Sequence, residues 1–412
     1  SMRRRIPRWL NPVGGFFANW KQITNINAKG VRAGVAEGLR NTPITLINTP
    51  KQAKYKTLSM SNSTTQEAWV MSRRFEDALA LSMLTGLQSL MVQEDREIIG
   101  GSTVSLNAAM QAATISAVSG GGTTAVAVSA LTLHGVLNNA QGFGPVTLDD
   151  GTVVNRNSPD ETLPKIANVG AVGAVITWTD VPAAFGYNVY VGGFYYGTVT
   201  TNRVTITAIP TAGNTPNTAD TSVNDLGYSG LLEQITATGS GGYYKNMNGG
   251  TLTPDGAGGI NEIEEMLSTI WGKWVAGPTM ALVNAQEMTT IKKLTIGSSS
   301  TNAVRVIVDQ GEKGNVSAGA AVQRYLSPLT QRYIDLVPSI HMTPGKIMFI
   351  GEEVPYPNSE VPHNCEVELQ MDYFGVERPQ TQRSQDVDVT CIGANKLYLP
   401  GICGIISNIA KS

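Results

Sequence analysis

The 412-residue chain has three histidines, three cysteines and 32 acids from which a reactive centre would be drawn. His134, His341 and His363 are scattered and show neither H-E-x-x-H nor H-x₃₋₅-H spacing, so structural roles are expected for all three. Cys365, Cys391 and Cys403 are odd in number and form no C-x-x-C pair. They read as buried free thiols, not as a disulfide framework or a zinc ribbon. Gly120-Gly121-Gly122 and Gly170–Val175 match neither G-x-G-x-x-G nor a P-loop, and read as turns. No G-x-S-x-G nucleophile elbow is present. Glu262, Glu264 and Glu265 fall in the first turns of a helix, where acids suit the dipole. Asp149-Asp150-Gly151 reads as a hairpin turn, because a calcium loop needs more oxygen ligands at set spacing. Aromatics in 185–196 suit a sugar-binding surface, but alternating Tyr and Val in paired strands is more often sheet packing. No catalytic, cofactor-binding or metal residue is therefore assigned, and a non-enzyme without cofactor is expected.

Composition points the same way. Charged residues are 15% of the chain, against roughly 25% in an average soluble protein, while 42% are apolar. A surface so poor in charge is expected to be covered by partners. No run of 18 apolar residues offers a membrane span, and Ile6–Pro12 is no signal-peptide core. Charge is also unevenly placed. Residues 1–56 hold eleven basic residues and one acid, Glu37, a local +10 that leaves −12 on the rest of a chain of net charge −2. Such an arm suits nucleic acid or an acidic neighbouring subunit. Trp9, Phe16, Phe17 and Trp20 interleave with it and call for burial, including burial on another chain.

The elements follow from periodicity. Residues 1–40 read as an extended arm with a short helix near 28–39. Pro43–Ile47 and Tyr55–Met60 read as the strands of a projecting hairpin. Met71, Phe75, Leu79, Met83, Leu87 and Met91 recur every four residues and predict one helix over 64–98, capped by Thr64 or Thr65. Its tail, Gln93–Glu97, is polar, and Gly100-Gly101 stops it. Residues 112–220 are a run of short strands, including 124–133, 174–178 and a hairpin of 186–191 and 194–196 turned by Gly192-Gly193. That pattern signals a β-sandwich. Ile260, Ile263, Leu267, Ile270 and Trp274 predict a helix with one apolar face. A strand at 279–283 and a helix capped by Asn284 follow, running through Leu294. Further strands are expected at 304–308, 322–325, 333–337, 346–350, 365–374, 386–392 and 402–409.

This order of elements resembles the major capsid proteins of tailed bacteriophages, the Johnson fold: an α+β subunit with a long spine helix. The resemblance implies an N-terminal arm over 1–40, an extended-loop hairpin over 41–63, and the spine helix with the start of a peripheral domain over 64–111. An inserted all-β sandwich over 112–222 would follow, then an axial domain over 223–345 and peripheral strands over 346–412. Tyr228-Ser229-Gly230-Leu231-Leu232 resembles the family's continuation from the spine helix, displaced by the insertion. Ile176-Thr177-Trp178 and Gly186–Tyr190 resemble an immunoglobulin-like or fibronectin type III-like module, with Trp178 in its core. The strand at 125–133 departs from that family's order, and no tyrosine corner follows. The implied function is self-assembly into hexamers and pentamers of an icosahedral virion shell, put together in the bacterial host cytoplasm. It would enclose double-stranded DNA non-specifically and display the sandwich outward. Scaffold, portal and cement or decoration proteins are the other implied partners, and no membrane. Some family members crosslink Lys to Asn, for which Lys51, Lys54, Lys56 and Asn395 are the compatible residues. An encapsulin-like compartment and a surface adhesin or carbohydrate-binding protein are the alternatives.

Overall fold

A computed structural model describes residues 2–11, 14–26, 34–41, 43, 46–72, 77–138, 141, 143–147, 153–157, 160–223, 226–256, 258–297, 323–354, 363–378 and 383–411. Phe75, the Asp149-Asp150-Gly151 turn and the expected strand at 304–308 lie outside them. The chain is an α+β protein whose described strands form four main sheets and two-stranded ribbons.

The helix expected over 64–98 is two helices among the described residues. Lys56–Thr65 is a strand, so Thr64 is not a cap; Thr65 Oγ1 accepts from Ala68 N, opening the short helix Gln66–Ser72. Asp77 caps the long helix Ala78–Gly100, its Oδ1 accepting from Leu79 N at 3.0 Å and Ala80 N at 3.4 Å. One side of this helix lies on a four-stranded sheet ordered Arg8–Leu10, Cys365–Glu377, Ser384–Leu397 and Lys56–Thr65. Leu87 and Leu90 pack there with Leu58, Met60, Val389 and Cys391. Leu81, Leu84 and Val92 on the other side are exposed.

Pro43–Ile47 and Tyr55–Met60 do not form the expected hairpin. Leu46–Lys54 pairs instead with Phe17–Ile26, and Lys56–Thr65 pairs with Ser384–Leu397. The hairpin therefore begins inside the supposed arm, and residues 34–41 contain no helix. The hairpin strands, of ten and nine residues, face few apolar partners of their own, so local pattern alone did not select the register.

The largest core lies around a six-stranded sheet ordered Tyr243–Asn246, Gly404–Ser407, Ile347–Ile350, Met280–Val283, Tyr333–Pro338 and Arg324–Leu326. Segment 346–412 thus contributes strands to two different sheets. Helix Asn261–Trp274 covers it with the expected face: Ile263, Leu267, Ile270 and Trp274 are buried. The approach is tight, since a Cβ at Gly401 would stand 2.3 Å from Trp274 Cε2. Asn284 Oδ1 accepts from Gln286 N at 3.0 Å and starts helix Ala285–Gly297.

Residues 115–205 supply two facing sheets with one shared core. The order is Arg203–Thr205, Val175–Trp178, Ile115–Ser119 in one and Phe194–Val199, Gly186–Val191, Thr124–Leu131, Lys165–Gly170 in the other. Ile176, Val126, Val128, Val189 and Trp178 meet between them, and Trp178 packs edge-on against Tyr187 at 5.2 Å. Gly192 and Gly193 turn the hairpin at φ +63° and +89°, the left-handed pair a two-residue turn demands. A separate ribbon pairs Phe143–Thr147 with Val153–Asn157.

Candidate functional site: the hairpin, the arm and the helix end

The hairpin is tied to the body through Trp20 and Ile23. Trp20 Nε1 donates to Leu397 O at 3.1 Å and Ile23 N to Tyr398 O at 2.8 Å. Among the described residues its two strands pair with no third strand. Trp9, Leu10, Phe16, Phe17 and Ile47 are exposed, Phe16 by 80%. Three of the four aromatics expected to seek burial thus face outward, and the fourth, Trp20, is half-buried. Large apolar groups left in water on an otherwise well-cored protein mark an interaction surface.

The start of the arm is docked on its own chain. Arg8–Leu10 runs parallel to Val367–Leu369. Arg8 Nη1 lies 2.8 Å from Glu94 Oε1 and 2.7 Å from Oε2, and Arg3 Nε lies 3.0 Å from Oε2. Tyr373 OH donates to the same carboxylate, and both guanidiniums stack over its ring, at 4.7 and 4.9 Å. Burial works against the Arg8 charge, but the hydrogen bond and charge of Glu94 outweigh it and raise its pKa above the ordinary arginine value. Within the polar tail Gln93–Glu97, Glu94, Asp95 and Glu97 are all buried. Asp95 accepts from Arg3 N at 2.9 Å and lies 3.6 Å from His341 Nε2, while Glu97 lies 2.8 Å from His134 Nε2. Two of the three histidines thus meet acids on one helix turn; His363 is exposed.

A second buried charge cluster ties the hairpin base to the sheet. Glu368 accepts from Asn11 Nδ2 at 2.6 Å and from Tyr55 OH, and pairs with Lys396. Burial depresses the Lys396 amine, with Glu366 opposing.

The chain leaves the long helix at Gly101 and comes back to the same point. Gly230 N donates to Gly101 O at 2.9 Å, and a Cβ at Gly101 would stand 2.1 Å from Tyr228 O. Both ends of the intervening segment therefore touch, which needs glycine on both sides. The sandwich is fastened to the body through Asp180, which accepts from Tyr187 OH and Asn408 Nδ2 at 2.7 Å each and from Tyr244 OH. Thr343 Oγ1 adds a bond to Phe185 O at 3.1 Å.

Lys51, Lys54, Lys56 and Asn395 line one cavity of about 380 Å³ at the hairpin base, beside Glu233. Asn395 is buried and its Nδ2 donates to Ser229 O at 3.1 Å. Glu233 is engaged with Thr103 N and Oγ1 at 2.6 Å each and with Ser229 Oγ at 2.9 Å. The three cysteines are buried and free, with thiols pushed up by burial. Glu262 is buried rather than solvated, accepting from Thr253 N at 3.0 Å. Among the described residues no cluster of His, Cys, Asp and Glu is built to hold a metal ion, and no helix is long and apolar enough to cross a membrane.

No family model matches the sequence, and no curated protein matches it. Solved structures do match along the whole chain. The capsid of a native GTA particle is 7% identical with a TM-score of 0.47, covering 100% of this chain and 90% of that one. Mycobacterium phage Bobi is 9% identical with a TM-score of 0.42, covering 99% and 90%. The holo-SrpI encapsulin complex of Synechococcus elongatus is 10% identical with a TM-score of 0.38, covering 100% and 88%.

Proposed function

We propose that the chain is a shell-forming subunit, the major capsid protein of a tailed phage. It assembles as hexamers and pentamers into an icosahedral virion that encloses double-stranded DNA. The observation that carries this reading is the two-stranded hairpin Phe17–Ile26 and Leu46–Lys54, with exposed Phe16, Phe17 and Ile47 and no third strand among the described residues. Such an element gains its burial from a neighbouring copy, and one self-complementary surface repeated by symmetry closes a shell. In this reading the hairpin is the family's extended loop and Ala78–Gly100 its spine helix. In the same reading the segment between Gly101 and Gly230, whose backbones touch, is an insertion displayed outward.

A DNA-free, encapsulin-like compartment is the second reading. It is favoured by the arm itself, because Arg3 and Arg8 are taken up by Glu94 rather than turned to an outside anion.

Electron microscopy and sedimentation velocity of the purified chain test the assembly. Uniform shells or ring-shaped capsomers are the expected result. A strictly monomeric species across salt and concentration would overturn it. Nuclease-resistant DNA inside particles recovered from cells separates the phage reading from the compartment.

A further inference from the structure

Lys51, Lys54 and Lys56 share the cavity at the hairpin base with Trp20, Gln234 and Asn395. At about 380 Å³ it is large enough to hold a ligand. Its charge is not balanced from inside. Glu233 is the one acid of its described lining, and both its carboxylate oxygens are spent. Oε2 accepts from Thr103 N at 2.6 Å and Val104 N at 3.3 Å, and Oε1 from Thr103 Oγ1 at 2.6 Å and Ser229 Oγ at 2.9 Å. Among the described residues no acid pairs with Lys51 or Lys54. Three amines against one carboxylate leave an excess of positive charge, which favours an anionic occupant.

The same wall holds two bare acceptors. Asn395 and Gln234 are 1% and 8% exposed. Asn395 Nδ2 and Gln234 Nε2 both donate to Ser229 O, at 3.1 and 2.9 Å. With the amide nitrogens turned to one carbonyl, the amide oxygens point elsewhere. Asn395 Oδ1 and Gln234 Oε1 are buried and accept from no described residue. A buried acceptor left unmade is costly, so these atoms call for a donor from outside. The occupant is thereby defined: a negative group with N–H groups beside it. An acidic side chain on an extended peptide has both, a carboxylate for the lysines and backbone N–H groups for the amide oxygens.

We propose that this cavity receives an acidic segment of a second copy of the chain. The inference rests on the shell reading and names one contact that would build the shell. Two observations favour a second copy over another acidic partner. The same hairpin carries exposed Phe16, Phe17 and Ile47, which that reading sets against a neighbouring copy, so the cavity continues that surface. Residues 57–412 carry a net −12, so every copy brings acids in excess. Each copy then offers a basic cavity at its hairpin and acids on its body. Such a contact joins two different patches head to tail, as rings of subunits require.

The test uses the full wild-type chain. Copies with natural and with heavy nitrogen are mixed in equal amounts before assembly and treated with a water-soluble carbodiimide. The reagent condenses a touching amine and carboxylate into an amide and leaves as its urea, having taken up the water. Tandem mass spectrometry should find Lys51 or Lys54 of one copy joined to an Asp or Glu of the other, one partner labelled and one not. Lys21 lies on the same hairpin but does not line the cavity, and should give several-fold fewer such links. Links confined to single copies, or equal linking from Lys21, overturn the proposal; particles seen by electron microscopy in that sample leave the shell reading standing. A chain that stays monomeric overturns the shell reading, and this contact with it. The double variant Lys51→Gln, Lys54→Gln should need a several-fold higher concentration to assemble. That difference should vanish near about 1 M salt, where the Debye length is ~3 Å. Assembly of the variant at the wild-type concentration in low salt also overturns the proposal.

Discussion

Substituting Glu94→Gln tests how the arm is held. The carboxylate is fully buried, and the Arg3 and Arg8 side chains are each only 17% exposed. Glutamine keeps the volume but removes the charge, and turns an amide N–H toward two cations. Removing one partner of a buried ion pair costs roughly 3–5 kcal/mol. Arg8 keeps Asp372 at 3.0 Å, so the low end, about 3 kcal/mol, is expected. Unfolding entropy near ~2.1 cal/mol/K per residue gives roughly 0.9 kcal/mol/K for 412 residues unfolding together. The melting temperature should then fall by about 3–4 °C. Circular dichroism melts at low and high salt provide the assay, with hydrogen exchange of Arg8–Leu10 as the local readout. The loss should persist at high salt, since buried pairs are screened little. A loss under about 1 kcal/mol, or one that salt abolishes, would refute the buried-clamp reasoning and return the arm to a solvated, docking-free role.

Other outcomes follow from single residues. Lys346 is wholly buried, donates to Ser407 Oγ at 2.8 Å, and has its pKa pushed down to about 8 by burial, with Asp180 opposing. The unfolded chain therefore holds this proton up to a higher pH, and stability should rise by about 3 kcal/mol between pH 8 and 10.5. Lys346→Met should abolish that rise and leave the protein more stable at pH 7 in urea unfolding. Gly401→Ala would drive a methyl into Trp274 at 2.3 Å, and an overpacking cost of about 1–3 kcal/mol is expected in the same assay.

Local chemistry was readable from the residues alone. The Gly192-Gly193 hairpin needs left-handed backbone that glycine supplies, and the 260–274 helix needs only its own apolar spacing. The run of short strands over 112–220 likewise pointed to a sandwich, and Trp178, a core residue by the resemblance, is buried between its sheets. Partners distant in sequence were not readable. Lys56–Thr65 has no pattern that names Ser384–Leu397 as its mate, and Leu46–Lys54 chose Phe17–Ile26 over its chain neighbour. Register in such polar strands is set by what lies on either side, not by alternation within them. The partners of the helix end were hidden for the same reason. Glu94, Asp95 and Glu97 read only as a polar tail until Arg3, Arg8, His134 and His341 arrive from elsewhere in the chain. The sequence by itself determined local elements such as the Gly192-Gly193 turn and the apolar face of helix Asn261–Trp274. The tertiary structure alone decided which charges are buried together, because pairing energy depends on distance and solvent exclusion, and neither is written in spacing along the chain.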